Sequence, residues 1–175
     1  GVSPEEVKAT VAKEITLADF DEGIDFVRYG NADPSKQARM RVEDKQNTAY
    51  HEAGHAIAGM IAPFADKVVK ITIMRRSKAL GYVQTMPDVD RLGLTYQQAL
   101  SRIVMTMAGR CAQEVYLNTV DTGASNDFRQ ACDTARNMVT AWGMSRLGPI
   151  SVGESAGAGP FGGAGSGGAF GNELG

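Results

Sequence analysis

The chain has only two histidines, His51 and His55, and they stand four residues apart with Glu52 directly after the first. On a helix this spacing puts both imidazoles on one face, one turn apart, within reach of a single ion. Glu52 is offset around the helix, so it addresses a water on that ion rather than the ion itself. This is the HExxH arrangement of zinc hydrolases. There the ion brings the pKa of its water toward about 7 and polarises a carbonyl, while a carboxylate moves the protons. Apolar Ala49, Ala53, Ile57 and Met60 flank the pair and predict a partly dry face. Two helical histidines that hold no metal are the plainer alternative.

A catalytic zinc needs a third protein ligand and one open position. No histidine remains, so the donor must be Asp, Glu or Cys. The longer pattern HExxHxxGxxH fails, because Ala58 and Ile61 occupy its last two defining positions. A Glu about twenty residues on also fails, since Arg75 stands there. The candidates are Asp66, Glu114, Asp121, Asp127, Asp133, Cys111 and Cys132. Asp121 and Asp133 read as solvent-facing, and the cysteines as core. Asp127 follows the small-residue turn Thr122–Asn126 at the start of a helical pattern, a place where a carboxylate's direction is well fixed, although an ordinary helix cap has the same appearance. Glu114 could orient a ligand histidine from behind, or simply pair with Arg110 on the surface.

The elements that must position these groups are mostly helical. Ser3-Pro4-Glu5-Glu6 and Thr16-Leu17-Ala18-Asp19 carry helix-start signals, and Gly30 is a natural stop. Leu17, Phe20, Ile24 and Val27 recur at helical spacing. Residues 1–33 hold eight acids and three bases, which reads as a solvated acidic face. Asn31–Lys36 reads as a turn. A helix follows from about Arg39 to Ala62, closed by Pro63. Val68–Met74 and Leu80–Met86 read as two pairing strands. Thr95 caps a further helix whose apolar row is Leu100, Ile103, Val104, Met107, Ala108, Cys111 and Val115. A last helix carries Phe128, Ala131, Cys132, Ala135, Met138, Val139 and Trp142 in register. The expected class is mainly α (α+β), with a small antiparallel hairpin.

Composition narrows the function. The 175 residues suit one medium domain, and 43% apolar with 22% charged is ordinary for a globular chain. A net charge of −2 excludes a strongly basic nucleic-acid binder, and 7% aromatics argues against a base-stacking platform. Five bases lie between Lys67 and Lys78, but a solvated hairpin explains them. Two cysteines read as buried reduced thiols rather than a disulfide scaffold. The longest near-apolar run, Ala56–Ala65, is broken by Pro63 and is half the ~20 residues a spanning helix needs. Ten of the 21 glycines fall in residues 151–175, which read as a flexible tail without the flanking strand and Lys-Ser/Thr of a phosphate loop. The chain opens on Gly rather than Met, so it reads as part of something longer.

Five ordered segments resemble one family: TAYHEAGHAI (48–57), ALGYVQTMP (79–87), AGRCAQEV (108–115), TGASNDF (122–128) and ARNMVTAWGMSRLGP (135–149). They are similar to the peptidase domain of the FtsH-type, ATP-dependent AAA zinc metalloproteases, over about residues 15–150. The resemblance implies one Zn2+ held by His51, His55 and Asp127, with Glu52 as catalytic base. It implies a helical zinc-peptidase domain over 31–150, an arm at 1–30 that joins it to an ATPase module absent from this chain, and the Gly-rich tail at 151–175. It also implies that ATP acts only in that ATPase, that the parent is a homo- or hetero-hexamer, and that an N-terminal segment anchors it in a bacterial inner, mitochondrial inner or plastid membrane with the peptidase on the soluble side. Two departures stand out: Gln113 occupies a position where the family usually has Glu, and the family's final helices do not follow the LGP segment.

The expected function is therefore a zinc endopeptidase that degrades unfolded or damaged polypeptides, Glu52 activating the water that attacks the peptide carbonyl. A rival reading is a non-catalytic, zinc-bound subunit or assembly module of such a complex. No nucleic-acid partner is expected.

Overall fold

A computed structural model describes residues 15–90 and 92–151. The helix expected from Ser3 and the Gly-rich tail lie outside the described residues, apart from Ser151. By compactness the chain divides at the Ala135/Arg136 junction, and the first unit carries everything that bears on the site.

Helix α1, Leu17–Tyr29, starts at a complete capping box in which Thr16 and Asp19 bond each other's backbone. It stops at Gly30, whose φ of 82° suits a residue without Cβ. The expected turn at Asn31–Lys36 is instead the start of a short helix, α2, Pro34–Arg39. Asp33 caps it by accepting from the Lys36 backbone N–H at 2.9 Å, and Pro34 takes the first helical position. Met40 is then extended (φ −67°, ψ 131°), so the long helix α3 runs Val42–Ile61 and not from Arg39. Ala62 ends it in extended geometry, as a residue before proline prefers.

Strands β1, Lys67–Thr72, and β2, Tyr82–Met86, form one antiparallel pair in the register Thr72 to Tyr82 and Lys67 to Met86, with a bulge between Val68 and Lys70. Helix α4, Tyr96–Leu117, begins at a second capping box, Thr95 with Gln98. A 3-10 turn, Thr122–Ala124, leads into α5, Ser125–Thr140. The described residues are thus mainly helical with one small antiparallel sheet, as expected.

The core is the α3–α4 contact, and it is built on small residues. A Cβ on Gly54 would lie 2.4 Å from the Ala108 carbonyl oxygen, so the two backbones nearly touch there. The buried side of α3 is Glu52, Gly54, His55, Ala56, Ala58 and Gly59. Ile57 and Met60, expected to flank a dry face, are exposed instead. On α4 the buried positions are Ala99, Ser101, Gly109 and Gln113. The apolar row read from periodicity is rotated off this contact: Leu100, Val104 and Val115 are exposed, and so are both cysteines. The physical reason is that where the two backbones nearly touch, at Gly54 and Ala108, there is room only for small side chains, so the larger apolar row turns elsewhere.

The acids of α1 are not simply a solvated face. Asp25 is buried and meets Lys70 Nζ at 2.7 Å and Arg76 at 3.1 Å; Glu22 grips the same guanidinium at 2.7 and 2.9 Å. Tyr29 stacks on Tyr82 at 3.7 Å between ring centres. These contacts tie α1 to the hairpin and occupy two of the five bases between Lys67 and Lys78. The helix's apolar residues Leu17, Phe20, Ile24 and Val27 are left exposed.

Candidate metal centre

Helix α3 delivers His51 and His55 toward α4 and the first turn of α5. Their rings meet edge to face with centres 4.6 Å apart, and their Nε2 atoms are 3.0 Å apart. Asp127, in the first turn of α5, brings Oδ2 to 3.1 Å from His51 Nε2 and 3.6 Å from His55 Nε2. Among the described residues this is the only group of three or more metal-ligating side chains whose donor atoms all lie within 4.8 Å of one another. Glu114, Asp66, Asp121, Asp133 and the two cysteines are not part of it.

The tautomers explain why these atoms converge. His55 Nδ1 lies 2.8 Å from the Met105 carbonyl oxygen, which only accepts, so Nδ1 carries a proton and in the neutral ring Nε2 is the nitrogen left with a lone pair. His51 Nδ1 lies 3.3 Å from Gln113 Oε1, another acceptor, with the same result. Two nitrogen lone pairs and a carboxylate oxygen therefore face a common point. Three acceptors in that arrangement call for a cation. Zn–N distances of 2.0–2.1 Å imply donor–donor separations of about 3.3 Å around a tetrahedral ion. The observed 3.0, 3.1 and 3.6 Å bracket that value.

Room for an ion is kept by Gly109 of α4. A Cβ there would sit 2.5 Å from His55 Nε2 and 2.8 Å from His51 Nε2, against the nitrogen atoms that face the common point. The residues fit zinc in donor type, spacing and space.

Electrostatics agree. Burial disfavours the imidazolium of His51, yet its hydrogen bonds to Asp127 and Gln113 and the nearby carboxylate charges outweigh this and raise its pKa. Burial also opposes ionisation of Asp127, but both imidazoles overcome it and hold the carboxyl at about 2. Burial pushes the Glu52 carboxyl above the usual range, and the two imidazoles pull it only part of the way back. An anionic donor beside a carboxylate ready to hold a proton is what metal-assisted hydrolysis needs.

The donors open onto a cleft of about 950 Å³, lined also by Glu52, by Leu80–Val83 at the head of β2, and by Arg75 and Lys78. Gly81 presses on Glu52: a Cβ at that position would lie 2.8 Å from Glu52 Cγ and 2.9 Å from its Oε1.

The description "Peptidase family M41" matches residues 38–170. The chain belongs to peptidase family M41. It is 44% identical over 144 residues to the ATP-dependent zinc metalloprotease FtsH of Caulobacter vibrioides, covering 81% of this chain and 23% of that protein. With the protein of the same name from Bacillus subtilis it is 42% identical over 147 residues, 83% of this chain and 23% of the relative. With that of Thermus thermophilus the figures are 41% over 140 residues, 79% and 22%. The chain thus spans under a quarter of the length of these curated relatives.

Within this M41 chain, sequence reasoning missed three residues at the site. Glu114, considered as a partner behind a ligand histidine, is exposed and pairs with Arg110 at 3.4 Å. Its neighbour Gln113 is the side chain that reaches His51. Gln113 was noted only as a departure from the family, and Gly109 and Gly81 were not singled out. Glycines inside AGRCAQEV and ALGYVQTMP signal a close approach, but not what approaches.

Proposed function

We propose that this chain is the zinc-dependent endopeptidase part of a longer ATP-dependent protease, with His51, His55 and Asp127 as zinc ligands and Glu52 as catalytic base. The observation that carries the reading is the convergence of two bare imidazole nitrogens and one carboxylate oxygen beside the space that Gly109 leaves open. Zinc bound there would acidify a water and polarise a peptide carbonyl. Glu52, buried at the cleft wall with its proton affinity raised, would accept a proton at its carboxylate and return it to the departing amine. The exposed edge of β2 runs along the cleft and offers backbone groups to an extended polypeptide as an added strand. Recognition through backbone suits unfolded substrates of varied sequence.

The relatives' names support zinc and ATP dependence, and the remainder of the reading follows the family resemblance of the sequence motifs. An AAA ATPase module precedes the peptidase, residues 1–30 form the arm between them, 31–150 form the peptidase and 151–175 a tail. The working assembly is a hexamer held at a membrane by a segment outside this chain. No helix among the described residues is long and apolar enough to cross a membrane.

The test compares wild type, Glu52→Gln and Asp127→Ala for bound zinc and for cleavage of unfolded casein. Glu52→Gln should keep about one zinc per chain and lose cleavage by about 10²–10⁴-fold, the usual contribution of a positioned base. Asp127→Ala should lose both. Undiminished cleavage by Glu52→Gln would refute the base, and undiminished zinc in Asp127→Ala the ligand set.

A further inference from the structure

Gln113 is the largest side chain among the described residues to be taken wholly out of solvent, and nothing in the proposed reaction accounts for it. Its two ends are bonded differently. The amide nitrogen lies 2.9 Å from Asn47 Oδ1 and 3.2 Å from Asp121 Oδ2. Asn47 turns its own amide nitrogen to the same Asp121 oxygen. Asp121 is itself fixed, since its other oxygen accepts from the Gly123 backbone N–H at 2.7 Å and caps the 3-10 turn.

An ionised carboxylate has no proton to give. Asn47 and Gln113 must therefore both turn donors toward Asp121, which leaves Gln113 Oε1 pointing at His51 Nδ1. An amide oxygen only accepts, so Nδ1 must carry a proton, and in the neutral ring that leaves Nε2 free. One charge at Asp121 sets the direction of three successive hydrogen bonds, through Asn47 and Gln113, that end at His51 Nδ1, the ring nitrogen opposite the metal-facing Nε2. The segment before α5 thereby holds His51 from both sides, Asp121 acting through Gln113 behind the ring and Asp127 in front of it.

We propose that Gln113 and Asp121 are paired positioning residues that lock His51 in the Nδ1–H tautomer and so preset zinc affinity. The proposal rests on the zinc-site reading above. It requires a donor and an acceptor at positions 113 and 121 in complementary order, not these residue types as such. Exchanging them should preserve the lock. In Gln113→Glu/Asp121→Asn, the new carboxylate accepts from His51 Nδ1 and from the amide introduced at position 121, and Asn47 reverses its amide.

The experiment measures zinc affinity of the full chain by chelator competition for wild type, Asp121→Asn, Gln113→Glu, the double exchange and His51→Ala, with the thermal midpoint of each metal-free protein alongside. Each single exchange should weaken zinc by about 10–100-fold, the scale for partners of ligand histidines. The double exchange should return to within about threefold of wild type. The visible spectrum of the cobalt(II) form should follow the same pattern of loss and recovery. Affinities unchanged in the single variants, or losses that add in the double variant, would overturn the proposal, because a merely structural polar cluster has no reason to recover on exchange. His51→Ala separates the two levels. If it lowers zinc affinity while the exchanges do nothing, only the positioning role fails. If it binds zinc like wild type, the zinc site fails and the positioning role with it.

Discussion

Gly109→Ala is a small change whose consequences at the site can be worked from distances. In a helix interior, alanine is favoured over glycine by about 1 kcal/mol. On propensity alone the substitution should stabilise α4. Its methyl group, however, would lie 2.5 Å from His55 Nε2 and 2.8 Å from both Nε2 and Cε1 of His51. Ordinary contact is about 3.5 Å, so the closest overlap is about 1 Å. Metal–ligand distances tolerate about 0.2 Å. At least one ring must therefore move several times further than the ion allows. His55 cannot swing without giving up its 2.8 Å bond to the Met105 carbonyl. Disturbing a hydrogen-bond partner of a ligand already costs about 10–100-fold in affinity. Displacing a ligand should cost at least about 100-fold, or about 2.8 kcal/mol at about 1.4 kcal/mol per decade. The assay is zinc affinity by chelator competition, paired with metal-free unfolding. Gly23→Ala is the control: Gly23 lies inside α1 with nothing within 4 Å of an added Cβ, so the variant should gain up to about 1 kcal/mol of stability and keep its zinc. Wild-type zinc affinity in Gly109→Ala would refute the placement of both imidazoles.

Other expectations follow from the same contacts. Gly81→Ala puts a methyl group 2.8 Å from Glu52 Cγ and 2.9 Å from the Thr72 carbonyl oxygen. It should lower kcat by tenfold or more while zinc content stays near wild type, and parallel loss of zinc would show that Gly81 acts on more than Glu52. Asp25→Asn tests the anchoring of α1. Burial opposes ionisation of Asp25, but Lys70, Tyr82 and Arg76 outweigh it and hold its pKa below the ordinary 3.8. A depressed folded value gives stability that is complete above the unfolded value and disappears as pH falls through the folded one. The difference in thermal stability between wild type and Asp25→Asn should thus be constant from pH 7 to about 5 and shrink below 3.8. A difference that grows on acidification would reverse the assigned sign.

What the sequence determined by itself is what depends on neighbours along the chain. His51 and His55 share a face because any helix makes residues four apart adjacent. The capping boxes at Thr16 and Thr95, the stop at Gly30 and the break at Pro63 are likewise local, and each is where it was expected. Boundaries failed at Asp33-Pro34, where one dipeptide serves a turn and a helix start equally well, and at Met40, whose extended backbone delays the long helix to Val42.

The tertiary structure decided what depends on how helices dock. Asp127 meets His51 across 76 positions of chain, and the local sequence offered it only as one candidate donor among several, with an ordinary cap as the alternative. Gln113 and Glu114 differ by one residue, about 100° around α4, and only the docking of α4 on α3 turned the amide inward and left the carboxylate in water. That docking surface is set by Gly54, Ala108 and Gly109. Small residues give almost no hydrophobic signal, so periodicity followed the larger apolar row and placed Cys111 and Val115 in a core that lies elsewhere. Close approach between backbones is a property of two surfaces at once, and no single stretch of sequence records it.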